Sequence, residues 1–297
     1  MALSLPDEVR ASCARIAADA RSVTIDLDAL AALEPGPAPA ADPERHLLDA
    51  TPQDVAAYFL TLDTINFGSG WFPTLRKRTD HAGRPVSGYF TVAWSLADRF
   101  RAAGPWTGDE LRAMRTEEIA DTLGQPRDHE LMALYAQALR DLGRFLAGRH
   151  ALDLVGDSRG SAAALARTLA SGMALYDDRG FWKRAQIVPS NLALAGVAAF
   201  DDLDRLTIFA DNLVPHVLRC DGVLVYAEGL AAHIDAGRPL RPGPQEREIR
   251  ACAVHACELL AQRTGLAPRE IDVRLWTRGQ DPAVKARPRH RCRCVAY

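Results

Sequence analysis

The stretch that decides the fold runs from residue 51 to residue 70 and reads TPQDVAAYFLTLDTINFGSG. Thr51 suits the N-cap of a helix, and Pro52 suits the first helical position. Apolar side chains then recur at steps of three and four residues, which places them on one helical face. These side chains are Val55, Tyr58, Phe59, Leu62 and Ile65. The glycines at 68 and 70 predict the end of the helix.

Helical patterns of the same kind fill most of the remaining chain, and strand signals are few. The helical segments cover residues 108–123, 128–148, 158–176, 203–218 and 244–264. The short strand signals cover residues 23–27, 223–226, 273–276 and 292–297. No strand-then-helix alternation predicts a doubly wound sheet. We therefore predict a mainly α, single compact domain over residues 1–297, with few short strands.

A Pro- and Ala-rich segment at residues 34–43, EPGPAPAADP, separates the beginning of the chain from this helix. It has too little apolar surface to pack, which predicts a stiff, solvated connector. Residues 1–33 are then expected to form a small helical element laid over the main body.

Composition limits the classes of ligand and compartment. The chain has 297 residues and a formal net charge of −2, so no global positive field gathers polynucleotide or an anionic membrane. No apolar run approaches the ~20 residues of a membrane span, and Asp7 and Glu8 stand where a signal peptide would be basic and then apolar. We expect a cytoplasmic protein that forms no stable nucleic-acid or membrane complex.

The six cysteines do not follow the spacing of familiar zinc sites. Cys252 and Cys257 fall in a helical stretch, where a buried free cysteine acts as a small hydrophobic residue. The pattern predicts no metal site.

Residues 200–211, FDDLDRLTIFAD, form the densest polar feature of the sequence. Asp201 or Asp202 could cap a helix, because Asp is favoured at that position. Alternatively, a second carboxylate beside the positive helix end stays ionised and faces a cavity. Such a carboxylate suits stabilisation of positive charge or nucleophilic attack, and both interpretations stay open.

Three further segments each have a functional and a structural interpretation. Residues 181–186, FWKRAQ, contain two adjacent cations, of which at most one should serve a given site; otherwise both are surface charges. Arg289, Arg291 and Arg293 could share one face of a strand and clasp a phosphate, or belong to a solvated tail. Residues 62–72, LDTINFGSGWF, could end a helix through Asn66, or hold a heterocycle with their aromatic rings.

Four segments in this order resemble the queuosine salvage protein family: residues 62–72, residues 181–186, residues 206–215, and residues 275–276 with the closing His290, Arg291 and Tyr297. The resemblance implies a mainly helical fold similar to helix-hairpin-helix DNA glycosylases, without metal or other cofactor. It also implies hydrolysis of the N-glycosidic bond of queuosine 5′-monophosphate, with release of queuine.

The resemblance also implies site residues. The base-pocket and catalytic positions are His46, Phe200, Asp202, Asp204 and Asp272, and Lys183 is implied as a phosphate contact. Trp276 and Arg291 complete the substrate-binding set. Asp202 is our choice for the catalytic carboxylate, with Asp201 and Asp204 as alternatives within the same four residues. Thr277 stands where some relatives have Asp.

This chemistry suits carboxylates, because cleavage of a nucleoside C–N bond builds positive charge on the ribose. Two other functions are compatible with the sequence. One is a glycosylase that acts on bases within DNA or RNA, which an isoelectric point near 6.5 disfavours. The other is a non-enzymatic protein that binds queuine or a nucleotide.

Overall fold

The computed structural model describes residues 3–297, in which α-helices account for nearly all regular structure. The α-helices are α1 (Leu5–Ala18), α2 (Leu27–Ala32), α3 (Pro52–Thr64), α4 (Gly88–Ala103), α5 (Gly108–Arg112), α6 (Thr116–Thr122), α7 (Glu130–Leu146), α8 (Ala151–Asp157), α9 (Ala162–Gly172), α10 (Lys183–Leu194), α11 (Val214–Cys220), α12 (Glu228–Asp235), α13 (Pro244–Thr264), α14 (Pro268–Arg278) and α15 (Pro282–Ala286). Three short 3₁₀ helices cover Phe72–Thr74, Ala174–Tyr176 and Leu203–Arg205. The prediction of a mainly α fold is confirmed, whereas the likeness to helix-hairpin-helix glycosylases stays a prediction.

Two short strands, β1 (Val23–Ile25) and β2 (Leu224–Tyr226), pair antiparallel with Val23 opposite Tyr226. Both were predicted from sequence. The predicted strand at residues 273–276 is wrong, because these residues lie inside α14, where Ile271 and Leu275 point into the core. The predicted strand at residues 292–297 is reduced to one isolated bridge between Cys292 and Leu240.

Helix α3 lies at the centre of the molecule and packs against α4, α7, α8 and α10. Its predicted start is confirmed, since the Thr51 side chain accepts a hydrogen bond from the Asp54 N–H and Pro52 is the first helical residue. The helix is buried on more than the predicted apolar face, because Thr61, Asp63 and Thr64 are buried as well. A buried carboxylate such as Asp63 requires hydrogen-bond partners nearby.

The predicted helix over residues 203–218 is wrong in its first half. After the 3₁₀ turn at Leu203–Arg205 the chain is irregular, and α11 begins only at Val214. Side chains of neighbouring helices replace the missing intrahelical hydrogen bonds: the Gln186 Oε1 accepts from the Thr207 N–H, and the Asp272 Oδ1 accepts from the Phe209 N–H. Tertiary hydrogen bonds therefore override the local helical pattern.

The N-terminal element packs onto the main body. Helix α1 lies against α13, and its Leu5 and Val9 belong to the same core as α3 and α13. Residues 1 and 2 of the predicted element lie outside the described residues. Most of the connector at residues 34–43 is exposed, but Pro35 is buried, and Arg274 of α14 donates a hydrogen bond to the Gly36 carbonyl. The connector therefore lies against α14.

Within residues 3–297, no helix combines the length and the apolar character that are required to cross a bilayer.

A buried ion pair joins α13 to the start of α10. The Arg250 guanidinium donates to both carboxylate oxygens of Asp178, at 2.9 and 2.6 Å, and lies 3.9 Å from the centre of the Phe181 ring. Its Nε donates to the Ala210 carbonyl at 2.9 Å. Asp178 Oδ2 also accepts from the backbone N–H of Lys183 at 3.2 Å. The pair thus connects three segments that are far apart in the sequence, around residues 178, 210 and 250.

We expect Asp178→Ala to lower the free energy of unfolding by about 3 kcal/mol, because buried Arg250 loses its two shortest carboxylate contacts and keeps only Glu246, at 3.4 Å, as an acidic partner. The matched control is Asp177→Ala, since Asp177 is the preceding residue but is exposed and pairs only with exposed Arg179. That control should change the free energy by less than about 1 kcal/mol. Urea unfolding measures both changes, and equal effects would contradict the role given to the buried pair.

Candidate active site

A cavity of about 620 Å³ opens between α10, α14, the loop before α11 and the connector. Its volume lies in the range of small-molecule sites. Aromatic side chains form much of its wall: Phe59, Phe72, Tyr89, Phe90, Phe209 and Trp276. Connector residues Pro39–Asp42 close one side. The cavity can therefore hold an apolar or heterocyclic group against aromatic side chains.

Two carboxylates, Asp211 and Asp272, face this cavity from different elements. Asp211 precedes α11, and its Oδ1 accepts hydrogen bonds from the N–H groups of Leu213 at 2.7 Å and Val214 at 3.1 Å. Asp272 lies on α14, and its burial, reinforced by the negative charge of Asp211, raises its pKa to about 7. The site therefore combines a carboxylate fixed by backbone donors with one that gains a proton near neutral pH.

Lys183 supplies a cation beside these carboxylates. It is the first residue of α10, it is buried, and its Nζ donates to the Asn66 carbonyl at 3.1 Å. Burial lowers its pKa to about 8, against the attraction of Asp211, Asp63 and Asp272. The adjacent Arg184 turns into the core and donates to the Thr64 carbonyl at 2.6 Å. Only one of the two cations therefore reaches the cavity, and neither is a surface charge.

A second group of cations surrounds Arg289, whose ionised form Asp211 favours. Arg289 lines the cavity, and Lys77, Lys285 and Arg291 lie within electrostatic range. Burial and these like charges lower the pKa of Lys77 to about 8. In the described part of the chain, none of the four cations forms an ion pair with a carboxylate. Like charges held together in this way favour binding of an anion.

Several buried polar atoms on the cavity wall have no hydrogen-bond partner among residues 3–297. They are Arg45 Nε, Ser69 Oγ, Gln280 Oε1, Arg289 Nε and Tyr297 OH. Unpartnered buried polar atoms are rare in folded proteins, since each costs about 1–3 kcal/mol. All five belong to residues that line the same cavity, where a polar ligand can supply the missing partners.

The segment 62–72 shapes this wall through its backbone. Helix α3 ends at Ile65, so Asn66 does not cap it and lines the cavity instead, together with Ser69. The N–H groups of Gly68 and Ser69 donate to the Tyr297 carbonyl, and a Cβ on Gly70 would lie 2.4 Å from the Cys292 carbonyl oxygen. The glycine at position 70 is therefore needed for the close approach of the C-terminal segment.

The structure brings four of the predicted site residues into the cavity: His46, Lys183, Asp272 and Trp276. His46 Nε2 lies 3.0 Å from the Tyr89 hydroxyl, and burial lowers the pKa of the imidazole. Trp276 packs edge-on against Tyr89 and Phe90.

The structure does not bring Asp202 and Asp204 to the cavity, which is a correction to the predicted catalytic pair. Asp202 caps α9, because its Oδ1 accepts from the Ala162 N–H at 2.6 Å and its Oδ2 accepts from the Ser161 hydroxyl at 2.7 Å. Asp204 is exposed and pairs with Arg269 at 2.7 Å. Asp202 therefore does cap a helix, as one of the two interpretations predicted. The capped helix is α9, not the segment that follows Asp202 in the sequence.

Two predicted substrate-binding residues also lie off the cavity wall. Phe200 packs against the small cluster of Ala162, Leu206 and Phe209. Arg291 belongs to the cation group and lies beside the lining residue Arg289. Arg293 points elsewhere and pairs with Glu130, so the predicted clasp of three guanidiniums on one strand face is wrong.

Sequence reasoning did not single out Asp211 or Asn191 as site residues, and it considered Arg289 only as part of the predicted arginine clasp. Asp211 had a detectable signal, because it stands three residues before a helix whose second residue is Pro215, a pattern typical of a capping side chain. Asn191 gave no such signal, since a polar residue in a helix after an internal proline is usually exposed.

The chain is similar to proteins of one known family. A family model described as queuosine salvage protein matches residues 46–297. The chain belongs to the queuosine salvage protein family. A queuosine 5′-phosphate N-glycosylase/hydrolase of Sphaerobacter thermophilus is 33% identical over 313 residues, covering 95% of each chain. Relatives of the same name in Mus musculus and Dictyostelium discoideum are each 28% identical; they cover 85% and 82% of this chain, and 85% and 78% of their own lengths.

Asp272 gives a pH-dependent prediction for stability. Its pKa is about 7 in the folded protein against 3.8 ordinarily, so its ionisation opposes folding increasingly from about pH 4 and fully above pH 7. Asp272→Asn removes this penalty and keeps an oxygen for the Phe209 N–H. We expect the Tm at pH 8 to rise by at least about 2–4 °C, equivalent to about 1 kcal/mol.

The difference in Tm should shrink towards pH 4, because that pH is close to the ordinary pKa of 3.8, below which Asp272 is protonated in both states. Scanning calorimetry at pH 4, 6 and 8 measures it, with Asp204→Asn as the exposed control. A difference that is independent of pH would show that ionisation of Asp272 does not determine the effect.

Proposed function

We propose that this cavity hydrolyses the N-glycosidic bond of queuosine 5′-monophosphate and releases queuine. The observation that carries the proposal is that one cavity holds two carboxylates, Asp211 and Asp272, together with a group of cations around Arg289. Asp211 is the carboxylate that favours the ionised form of Arg289, so groups of both signs lie within electrostatic range of each other. The names of the relatives agree with this substrate, which has a cationic base, a ribose and a phosphate.

Asp211 is our candidate for the carboxylate that acts on the ribose. Departure of the base leaves positive charge on C1′ and O4′, which a preorganised carboxylate stabilises or captures. The N–H groups of Leu213 and Val214 hold Asp211 in place, so it need not reorganise during the reaction. Water then supplies hydroxide to C1′, and its proton balances the electron pair that leaves with the base.

Asp272 is our candidate for the partner of the base. Queuine carries a secondary amine that is cationic near neutral pH, and a nearby cation stabilises the ionised form of Asp272. The rings of Phe209 and Trp276 offer flat apolar surfaces to the deazapurine. Acidic and aromatic groups together therefore suit the base region.

Arg289 is our candidate for the phosphate contact. Its Nε is buried without a partner, and Lys77, Lys285 and Arg291 add positive charge. The phosphate role implied for Lys183 by the family resemblance stays a prediction. Asp211, Asp63 and Asp272 all favour the charged form of Lys183, which supports a contact with the ribose or base instead.

The cytoplasm remains the compartment that we propose, with the small-molecule substrate and product as partners and no stable complex with nucleic acid or membrane. The six cysteines are free, as expected in a reducing compartment.

We expect Asp211→Asn to reduce kcat by about 10²–10³, because the amide keeps the shape of the side chain and loses its charge. The matched control is Asp202→Asn, which lies outside the cavity and should retain kcat within about three-fold, since Asn is also a good cap. Chromatographic measurement of free queuine after incubation with the 5′-monophosphate tests both variants.

The reverse result, an inactive Asp202→Asn and an active Asp211→Asn, would show that Asp202, the carboxylate chosen from the sequence, is the catalytic one. Wild-type protein that binds queuine but releases none from the nucleotide would be a carrier. Retention of polynucleotide in a gel shift would instead favour a glycosylase that acts on DNA or RNA.

Arg289→Gln should lower kcat/KM for the 5′-monophosphate about 10- to 100-fold more than for the unphosphorylated nucleoside, because only the nucleotide loses a charge-assisted contact. Arg293→Gln is the matched control in the same segment, since Arg293 pairs with Glu130. Lys183→Ala should slow both substrates by similar factors. A selective loss of the nucleotide in Lys183→Ala, without one in Arg289→Gln, would assign the phosphate to Lys183.

A further inference from the structure

Asp63 is a buried carboxylate of α3 that does not line the cavity but contacts two residues that do. Its Oδ1 and Oδ2 accept hydrogen bonds from the Asn191 Nδ2 at 3.0 and 2.9 Å. The Asn66 Nδ2 lies 3.4 Å from Oδ1. Asn66 and Asn191 both belong to the cavity wall.

This contact determines which end of the Asn191 amide faces the cavity. An ionised carboxylate only accepts hydrogen bonds, so in that form its two oxygens must meet the NH₂ group of the amide. Oδ1 of Asn191 is therefore directed away from Asp63. Within the described chain, no protein donor reaches that oxygen, and it remains available to a ligand.

The backbone at the end of α3 also supports the position of Lys183. The Asn66 N–H donates to the Asp63 carbonyl at 3.3 Å, and the Asn66 carbonyl accepts from the Lys183 Nζ at 3.1 Å. Burial raises the pKa of Asp63 to about 7, whereas Asn191 and Lys183 favour its ionised form. The end of α3 thus holds an amide and an ammonium group of the cavity in fixed orientations.

We infer that Asp63 is a positioning residue, which presents Asn191 as a hydrogen-bond acceptor to an O–H or N–H donor of the substrate. The inference rests on the proposed function for the identity of that substrate. An acceptor fixed in this way discriminates between substrates, because a ligand without the donor leaves the Asn191 oxygen unpaired.

Asp63→Asn is the informative change, since the new amide can pair reciprocally with Asn191. That pairing draws the Asn191 oxygen away from the cavity. We expect kcat/KM for the 5′-monophosphate to fall about ten-fold, mainly through a higher KM, as for a lost binding contact. Asn191→Ala should produce a similar fall, and the double variant should fall no further.

Thr64→Val is the matched control, because Thr64 is the adjacent buried polar residue of α3 and does not line the cavity. It should lower the Tm and leave the KM within about two-fold of the wild-type value. The inference would be overturned if Asp63→Asn lowered kcat/KM as much in the Asn191→Ala variant as it does in the wild-type protein.

A readout that is independent of catalysis separates this inference from the proposed function. The side-chain amide resonances of Asn191, assigned by their loss in Asn191→Ala, should move in Asp63→Asn and not in Thr64→Val. Unmoved resonances would overturn the positioning role even in an active enzyme. Moved resonances in a protein that releases no queuine would uphold the positioning contact while the proposed function failed.

Discussion

The Arg250–Asp178 ion pair is the interaction on which the arrangement of the site depends. Both side chains are removed from water, so their mutual geometry must be nearly ideal to offset desolvation. The pair meets this demand with two short hydrogen bonds and a stacked aromatic ring. Through Asp178 it holds the N–H of Lys183, and through the Ala210 carbonyl it holds the residue before Asp211. One buried contact thus fixes the backbone beside a cation and a carboxylate of the cavity.

The cavity brings opposite charges together within a small volume, since Asp211 favours the charged forms of both Lys183 and Arg289. Much of its lining is aromatic, so water screens these charges less than it would at a surface. A ligand that carries both a cation and an anion therefore finds partners for both within one cavity. The weak net charge of the whole chain is compatible with this arrangement, because local groups rather than a global field supply the attraction.

Much of the helical framework could be predicted from the sequence, because helix caps and apolar periodicity are local properties. The start of α3 at Thr51 and the extent of α13 are examples. The site was less predictable, since it is assembled from contacts between distant segments. Asp202 and Asp211 are both acids near a helix start, and only the packing of α9 decides that Asp202 caps a helix while Asp211 faces the cavity. The family motif contained Asp211, but local reasoning favoured the denser acidic cluster.

The hydrogen bonds between α14 and the connector have a consequence for how the cavity can evolve. Arg274 and Arg278 bind the carbonyl oxygens of Gly36 and Glu34, which every amino acid possesses. The anchoring therefore does not depend on the side chains at residues 39–41, which are exposed and border the cavity. Substitutions there can reshape the opening while the anchoring bonds persist. Selection for new ligands can act on this rim largely independently of the fold.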